Sequence, residues 1–222
     1  MDENYFHICN RGIDKSKIFF DQTYYLRFVI GLYRYNNKSG AIRMPERVNF
    51  FSQQLPKQDK LVEILNWTLL PNHYHLLVQE TESGGAVEFT KRLGNGYTKY
   101  VNTKRKRNGY LFQNAARIIM LENERHFLYL PFYIDLNILD ARFNNWKNDG
   151  IPNVDNALEF MEQYRWSGYG GTVGRQNFLE ITNRDLFYET FNTDSRKYKE
   201  EVKEWLEEKR YKDYPSTWQV DG

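Results

Sequence analysis

Apolar and polar positions fall into short strand-like stretches separated by helical periodicities. Tyr5-Phe6-His7-Ile8-Cys9 reads as a first strand, and Asn10-Arg11-Gly12 closes it with turn chemistry, Gly12 supplying a positive φ. Asp21 suits an N-cap, because Tyr24, Tyr25, Phe28, Ile30 and Leu32 follow at helical spacing. Residues 36–60 are polar and aperiodic, with Pro45 and Pro56, and read as a loop insertion. Residues 62–70 form a second strand, Pro71-Asn72 a tight turn, and residues 73–79 a third strand paired with the second. Ser83-Gly84-Gly85 leads into a long helix over about 86–103, residues 114–120 give a fourth strand, and a further helix spans about 124–139.

That order is βαββαβ plus a helix. It predicts an α+β protein, a ferredoxin-like sandwich of antiparallel sheet with helices on one face. The strand that begins at His73 belongs in the middle of such a sheet. After Asn148 the composition changes, with Gly150, Pro152, Gly168, Gly170, Gly171 and Gly174 punctuating the chain. We therefore divide it into a domain of residues 1–148 and a helical C-terminal extension, 149–222. The extension ends in a charged helix over about 195–210, whose Tyr198, Val202 and Trp205 or Leu206 make one apolar face.

Composition narrows the class. The chain has 222 residues, 17% of them aromatic, enough for a sizeable core. A net charge of +2 means that any basic surface is local. Cys9 is the only cysteine, which excludes a disulfide framework and a Cys-based zinc site within one chain. The start, Met1-Asp2-Glu3-Asn4-Tyr5, lacks a basic-then-apolar leader, and no apolar run is long enough to span a bilayer. These features predict a soluble cytoplasmic protein with no membrane partner.

The candidate chemistry lies in Pro71-Asn72-His73-Tyr74-His75. Residues two apart on a strand share a face, so both imidazoles can reach one ion while Tyr74 points to the other side. In the last helix of the βαββαβ-plus-helix order, Tyr133 and Asn137 are four apart, on one face and about 6 Å apart along the axis. Two imidazoles, an amide oxygen and a phenol suit a divalent ion such as Mg²⁺ or Mn²⁺ beside a nucleophile. Alone, a His-x-His on a strand is more often a pair of half-buried histidines, and Tyr129 and Tyr97 rival Tyr133. His7 and His126 have no spacing argument.

Four ordered segments carry a resemblance. Asn10-Arg11-Gly12, Leu70-Pro71-Asn72-His73-Tyr74-His75-Leu76-Leu77-Val78, Tyr110-Leu111-Phe112-Gln113 and Tyr133-Ile134-Asp135-Leu136-Asn137 together resemble the REP-associated tyrosine transposases. These are single-tyrosine HUH endonucleases, related to the transposases of small insertion sequences. The resemblance runs over about residues 5–142, and Arg165-Trp166-Ser167-Gly168-Tyr169 is similar to a segment that follows their tyrosine helix.

By this resemblance His73, His75 and Asn137 would be metal ligands, and Tyr133 would attack single-stranded or hairpin DNA. The products would be a 5′-phosphotyrosine link and a free 3′-hydroxyl. A location on the nucleoid follows from that role. The C-terminal extension aligns the chain with monomeric relatives that use the helix in cis, a helix-exchanging dimer being the alternative. A free tyrosine has a pKa near 10, so a proton acceptor is needed. Water on the ion is one candidate and Asp135 a weaker one, since two positions along a helix turn it away from Tyr133. A non-cutting hairpin-binding relative is the competing function. Ile138 stands where the family has Pro, which predicts that the helix continues toward Asp140. Pro131 either kinks the helix or marks its first turn, which would set Tyr133 in the field of a helix N-terminus.

Lys99, Lys104, Arg105, Lys106 and Arg107 cluster at the end of the second helix, interleaved with Tyr97, Tyr100 and Tyr110. Cations for phosphates and rings for bases suit single-strand binding, although cations at a helix C-terminus also simply complement its dipole. Arg11 and Arg117 are further phosphate candidates.

Overall fold

The computed structural model describes residues 4–44 and 55–213. Pro45, within the expected loop, lies outside them. The strands are β1 (Tyr5–Arg11), β2 (Val62–Leu70), β3 (His73–Glu80) and β4 (Arg117–Met120). Between and after them run α1 (Gln22–Arg34), α2 (Gly85–Lys104) and α3 (Glu124–Leu136). The strands form one antiparallel sheet in the order β2-β3-β1-β4, the ferredoxin-like arrangement, with β3 between β2 and β1.

Each face of the sheet has its own core. Tyr74, Leu76 and Val78 of β3 join Phe28 and Leu32 of α1 and Phe89, Leu93 and Tyr97 of α2. On the opposite face Leu77 of β3 and Tyr5 of β1 join Leu130, Tyr133 and Ile134 of α3. Helices thus cover both faces, not one. This is why β2 reads as a nearly unbroken apolar run rather than a clean alternation. Asp21 caps α1 as expected, accepting from the Thr23 amide.

The second face is completed by α4 (Trp146–Asp149), α5 (Val154–Gln163), α6 (Tyr169–Thr172), α7 (Arg184–Phe191) and α8 (Ser195–Glu207). Trp146, Met161, Tyr169, Phe187, Tyr198 and Val202 from this region are buried against α3 and the sheet. Its backbone also bonds β2: Leu69 N–H donates to Trp166 O at 2.9 Å and Gly168 N–H to Trp67 O at 2.8 Å. Among the described residues no helix is long and apolar enough to cross a membrane.

Three local expectations are corrected. Gly12 has φ −63°, so it is not a positive-φ residue; a Cβ there would sit 2.2 Å from Ser16 O, and close backbone approach is what demands glycine. The fourth strand starts at Arg117 rather than 114, because the Asn114 carbonyl is taken by the Asn10 side chain at 3.2 Å. The α-helix stops at Leu136 and passes into a 3-10 turn, Asn137–Ala141. The helical path does run on toward Asp140, but in the tighter geometry.

Candidate metal and nucleophile site

β3 places His73 and His75 on the α3 face, and β1 supplies the neighbouring row. Arg11 lies opposite His73, Cys9 opposite His75 and His7 opposite Leu77. On the other side of β3, Thr68 of β2 lies opposite His75. The His73 and His75 rings are 5.1 Å apart, nearly perpendicular. Tyr133 meets them from α3: its ring stands edge-on to His75 at 5.3 Å and to His7 at 6.0 Å.

Hydrogen bonds decide which nitrogens can bind an ion. His73 Nδ1 lies 2.7 Å from Asn72 Oδ1, while Asn72 Nδ2 donates to Lys15 O at 3.1 Å. The amide orientation is therefore fixed, Oδ1 can only accept, and His73 Nδ1 must carry a proton. A neutral His73 then has its lone pair on Nε2. His75 Nδ1 is 3.0 Å from His7 Nε2, and His75 Nε2 is buried with no hydrogen-bond partner among the described residues. Thr68 Oγ1 is buried and unpartnered in the same way. Buried polar atoms without partners are costly, and a cation with its water would satisfy them.

Asn137 is buried one turn beyond Tyr133. Its Nδ2 donates to Tyr133 O at 2.7 Å, which leaves Oδ1 as the outward acceptor. That oxygen accepts from Lys147 Nζ at 3.3 Å, and Lys147 also bonds Asp140 Oδ2 at 3.0 Å. The donor set of two imidazole nitrogens and an amide oxygen fits a divalent ion. A second set overlaps it: His7, Cys9 and His75 offer ligand atoms within 4.8 Å of one another, and this buried group could hold a metal. One thiol among histidines is a possibility that counting cysteines passes over.

The field around these rings is positive. Burial pushes the His75 pKa well down, with help from the charges of His73, His7, Lys147 and Arg11. Burial, then the Arg117 charge, pushes His7 down to about 3. Both imidazoles are neutral near pH 7, the form that ligates metals. Burial raises the Cys9 thiol to about 11, against the opposing pull of Arg117, so without a metal it stays protonated. Arg11 and Arg117 border a cleft of about 230 Å³ with Cys9, Gln113 and Asn114, a setting that attracts an anion.

The structure thus brings together His7, His73, His75 and Tyr133, with Asn137 one turn beyond Tyr133 at the end of α3 and Arg11 and Arg117 on the neighbouring strands. It does not bring the α2 cluster there. Lys99, Lys104, Arg105, Lys106 and Arg107 belong to the α1–α2 layer, across the sheet from Tyr133. Several of them stack within the chain: Lys104 sits 4.3 Å from the Tyr24 ring centroid and Arg105 3.9 Å from that of Phe20. Tyr110 is 83% exposed beside a groove of about 660 Å³ between α2 and residues 110–118.

The rival tyrosines are engaged elsewhere. Tyr129 packs edge-on to Trp205 of α8 at 4.6 Å, and Tyr97 lies in the other core with its hydroxyl on Ile18 O at 2.8 Å. Asp135 turns away from Tyr133, accepting from Tyr198 at 2.7 Å, so it is not placed to take the phenol proton. Pro131 lies within α3, well past its Asn123 cap, so Tyr133 is not at a helix N-terminus. His7 is the site residue that spacing along one strand missed. Its signal was the strand order, which sets His7, Cys9 and Arg11 alongside the His73–His75 strand.

No family model and no curated protein sequence matches this chain. Among solved structures, the chain is similar to one described as a REP-associated tyrosine transposase bound to a REP hairpin. The two are 16% identical, with 78% of this chain and 80% of that chain covered and a TM-score of 0.45.

Proposed function

We propose that this chain nicks and rejoins single-stranded, hairpin-containing DNA, with Tyr133 as nucleophile and a divalent ion, Mg²⁺ or Mn²⁺, held by His73, His75 and Asn137. The observation that carries this reading is the Tyr133 ring edge-on to His75, whose Nε2 is buried and unpartnered. The ion, when bound, would neutralise and orient the scissile phosphate. Tyr133 Oη would attack phosphorus and release its proton to solvent as the bond to the 3′ oxygen breaks. The 5′ phosphate would stay on Tyr133, and the 3′ oxygen would leave as an alkoxide that takes a proton from water to become a hydroxyl. Attack by a 3′-hydroxyl on that ester would rejoin the strand and restore Tyr133. Arg11 and Arg117 would hold the phosphates flanking the cleft, and the α2 cations with Tyr110 would bind a more distant part of the DNA.

In this reading residues 1–148 carry the reaction and 149–222 form an extension, whose Met161, Tyr169, Phe187, Tyr198 and Val202 brace α3. It would act as a monomer, a reading supported by the packing of α3 on its own sheet, where Asn66 Nδ2 donates to Pro131 O at 3.3 Å. It would work in the cytoplasm, on nucleoid DNA.

A second reading, a hairpin binder that no longer cuts, has its own support. Tyr133 is 4% exposed, and Lys147 occupies the Asn137 oxygen. A denaturing gel separates the two, using hairpin DNA with Mn²⁺ or with EDTA. A metal-dependent covalent protein–DNA band, absent in Tyr133→Phe, is the expected result. Binding without cleavage by the wild type selects the non-cutting protein, and a band that persists in Tyr133→Phe refutes the assignment of the nucleophile.

A further inference from the structure

We infer that His7 is a positioning residue for the metal site: by accepting a hydrogen bond from His75 Nδ1, it fixes the tautomer that leaves His75 Nε2 free to bind the ion. This rests on the proposed metal reading and adds a residue to it. The two rings lie 5.2 Å apart and within 20° of parallel, both fully buried, with His7 Nε2 3.0 Å from His75 Nδ1.

Two neutral imidazoles in such a bond share one proton, which leaves two arrangements. If His7 donates, His75 Nδ1 accepts and the proton of His75 moves to Nε2. There it has no acceptor among the described residues and blocks the lone pair. If His75 donates, Nε2 carries a bare lone pair on the face shared with His73. A cation at Nε2 is compatible only with the second arrangement. His73 has an equivalent support in Asn72, itself fixed by Lys15 O. Each imidazole would thus be oriented through Nδ1 and bind through Nε2, the usual way that outer groups set a metal-ligating histidine. The supports differ in origin: a turn amide braces His73, and a side chain from the adjacent strand braces His75.

The test compares Mn²⁺ affinity, by calorimetry, in the wild type, His7→Leu and His7→Gln, with circular dichroism to establish that each is folded. It adds ¹⁵N spectra of the histidine rings in the Mg²⁺-loaded wild type. His7→Leu is expected to weaken Mn²⁺ binding by about 10- to 100-fold. His7→Gln, whose Oε1 can accept from His75 Nδ1, is expected to recover most of that loss. The spectra are expected to show His75 protonated at Nδ1. Should His7→Leu not fold, the ring spectra still decide the matter.

Affinity in a folded His7→Leu equal to the wild type, or a proton on His75 Nε2 in the loaded protein, overturns the inference. So does a thiolate charge-transfer band on Co²⁺ loading that Cys9→Ser removes, because His7 would then be a ligand. A wild type that binds no Mn²⁺ overturns the metal reading and this inference together. A wild type that binds, with no effect at His7, overturns the inference alone.

Discussion

Burying Asp135 makes the stability of this protein fall as pH rises. The carboxyl lies between α3 and α8, fully buried, and accepts a hydrogen bond from Tyr198 at 2.7 Å. Burial raises its pKa from 3.8 to about 7, against the opposing hydrogen bonds of Tyr198 and Asn66. The folded state therefore keeps a proton that the unfolded chain releases above about pH 4. Stability from this group is fully present below the unfolded pKa and is lost as pH rises through about 7. The whole shift corresponds to roughly 4 kcal/mol, and about 3 kcal/mol of it falls between pH 5 and pH 8. His7 and His75, whose pKa values are lowered, act in the opposite sense as pH drops below 6.5. The informative quantity is thus the difference between the wild type and Asp135→Asn, which keeps an acceptor for Tyr198 and cannot ionise. Urea unfolding at pH 5 and pH 8, followed by circular dichroism, measures it. The wild type is expected to lose about 3 kcal/mol more than Asp135→Asn over that interval. Equal losses, or a smaller loss in the wild type, would refute the argument that an ionisable carboxyl is buried here.

Two other substitutions probe the site and its support. Gly12→Ala forces a Cβ to within 2.2 Å of the Ser16 carbonyl, in the turn where Gly12 N–H bonds Asn72 O at 2.8 Å. It should cost about 1–3 kcal/mol in denaturant unfolding, and a change within about 0.5 kcal/mol would contradict the packing argument. Lys147→Met removes a half-exposed cation from the Asn137 oxygen. It is expected to tighten Mn²⁺ binding by about threefold to tenfold at low salt, less at high salt, and calorimetry that finds weaker binding would show that Lys147 supports the site instead.

The parts of the fold that were legible share a physical cause. β2 and α2 are long and carry strong periodicity, so their spans, Val62–Leu70 and Gly85–Lys104, follow the apolar pattern closely. β3 was equally clear because the Pro71-Asn72 turn sets its start. Residues 114–116 look like strand yet precede β4, because the Asn114 carbonyl is taken by the Asn10 side chain. The rank of candidate residues was legible only within one element: His73 with His75, Tyr133 with Asn137. What spacing cannot carry is adjacency between elements. His7 bonds a residue 68 positions away, and Lys147 meets Asn137 from a separate helix. Nor did the Gly-rich stretch after Asn148 announce that Trp166 and Gly168 would bond β2, because those contacts are made by backbone atoms and leave no mark in residue type.

Those backbone contacts determine how the protein behaves in a crowd of its own copies. β2 is an outermost strand, and Val-Glu-Ile-Leu-Asn-Trp-Thr-Leu-Leu is a strongly β-forming, nearly charge-free sequence. Left bare, its outward N–H and C=O groups would template the addition of another chain's strand. Trp166 and Gly168 take up Leu69 N–H and Trp67 O, and Asn183 N–H takes up Ile64 O at 2.8 Å. The opposite rim is β4, only four residues long and begun by an exposed arginine, a poor template by length and charge. The region after Asn148 therefore acts as a guard against intermolecular β-addition, and a chain cut before Trp166 would present its most aggregation-prone strand to solvent.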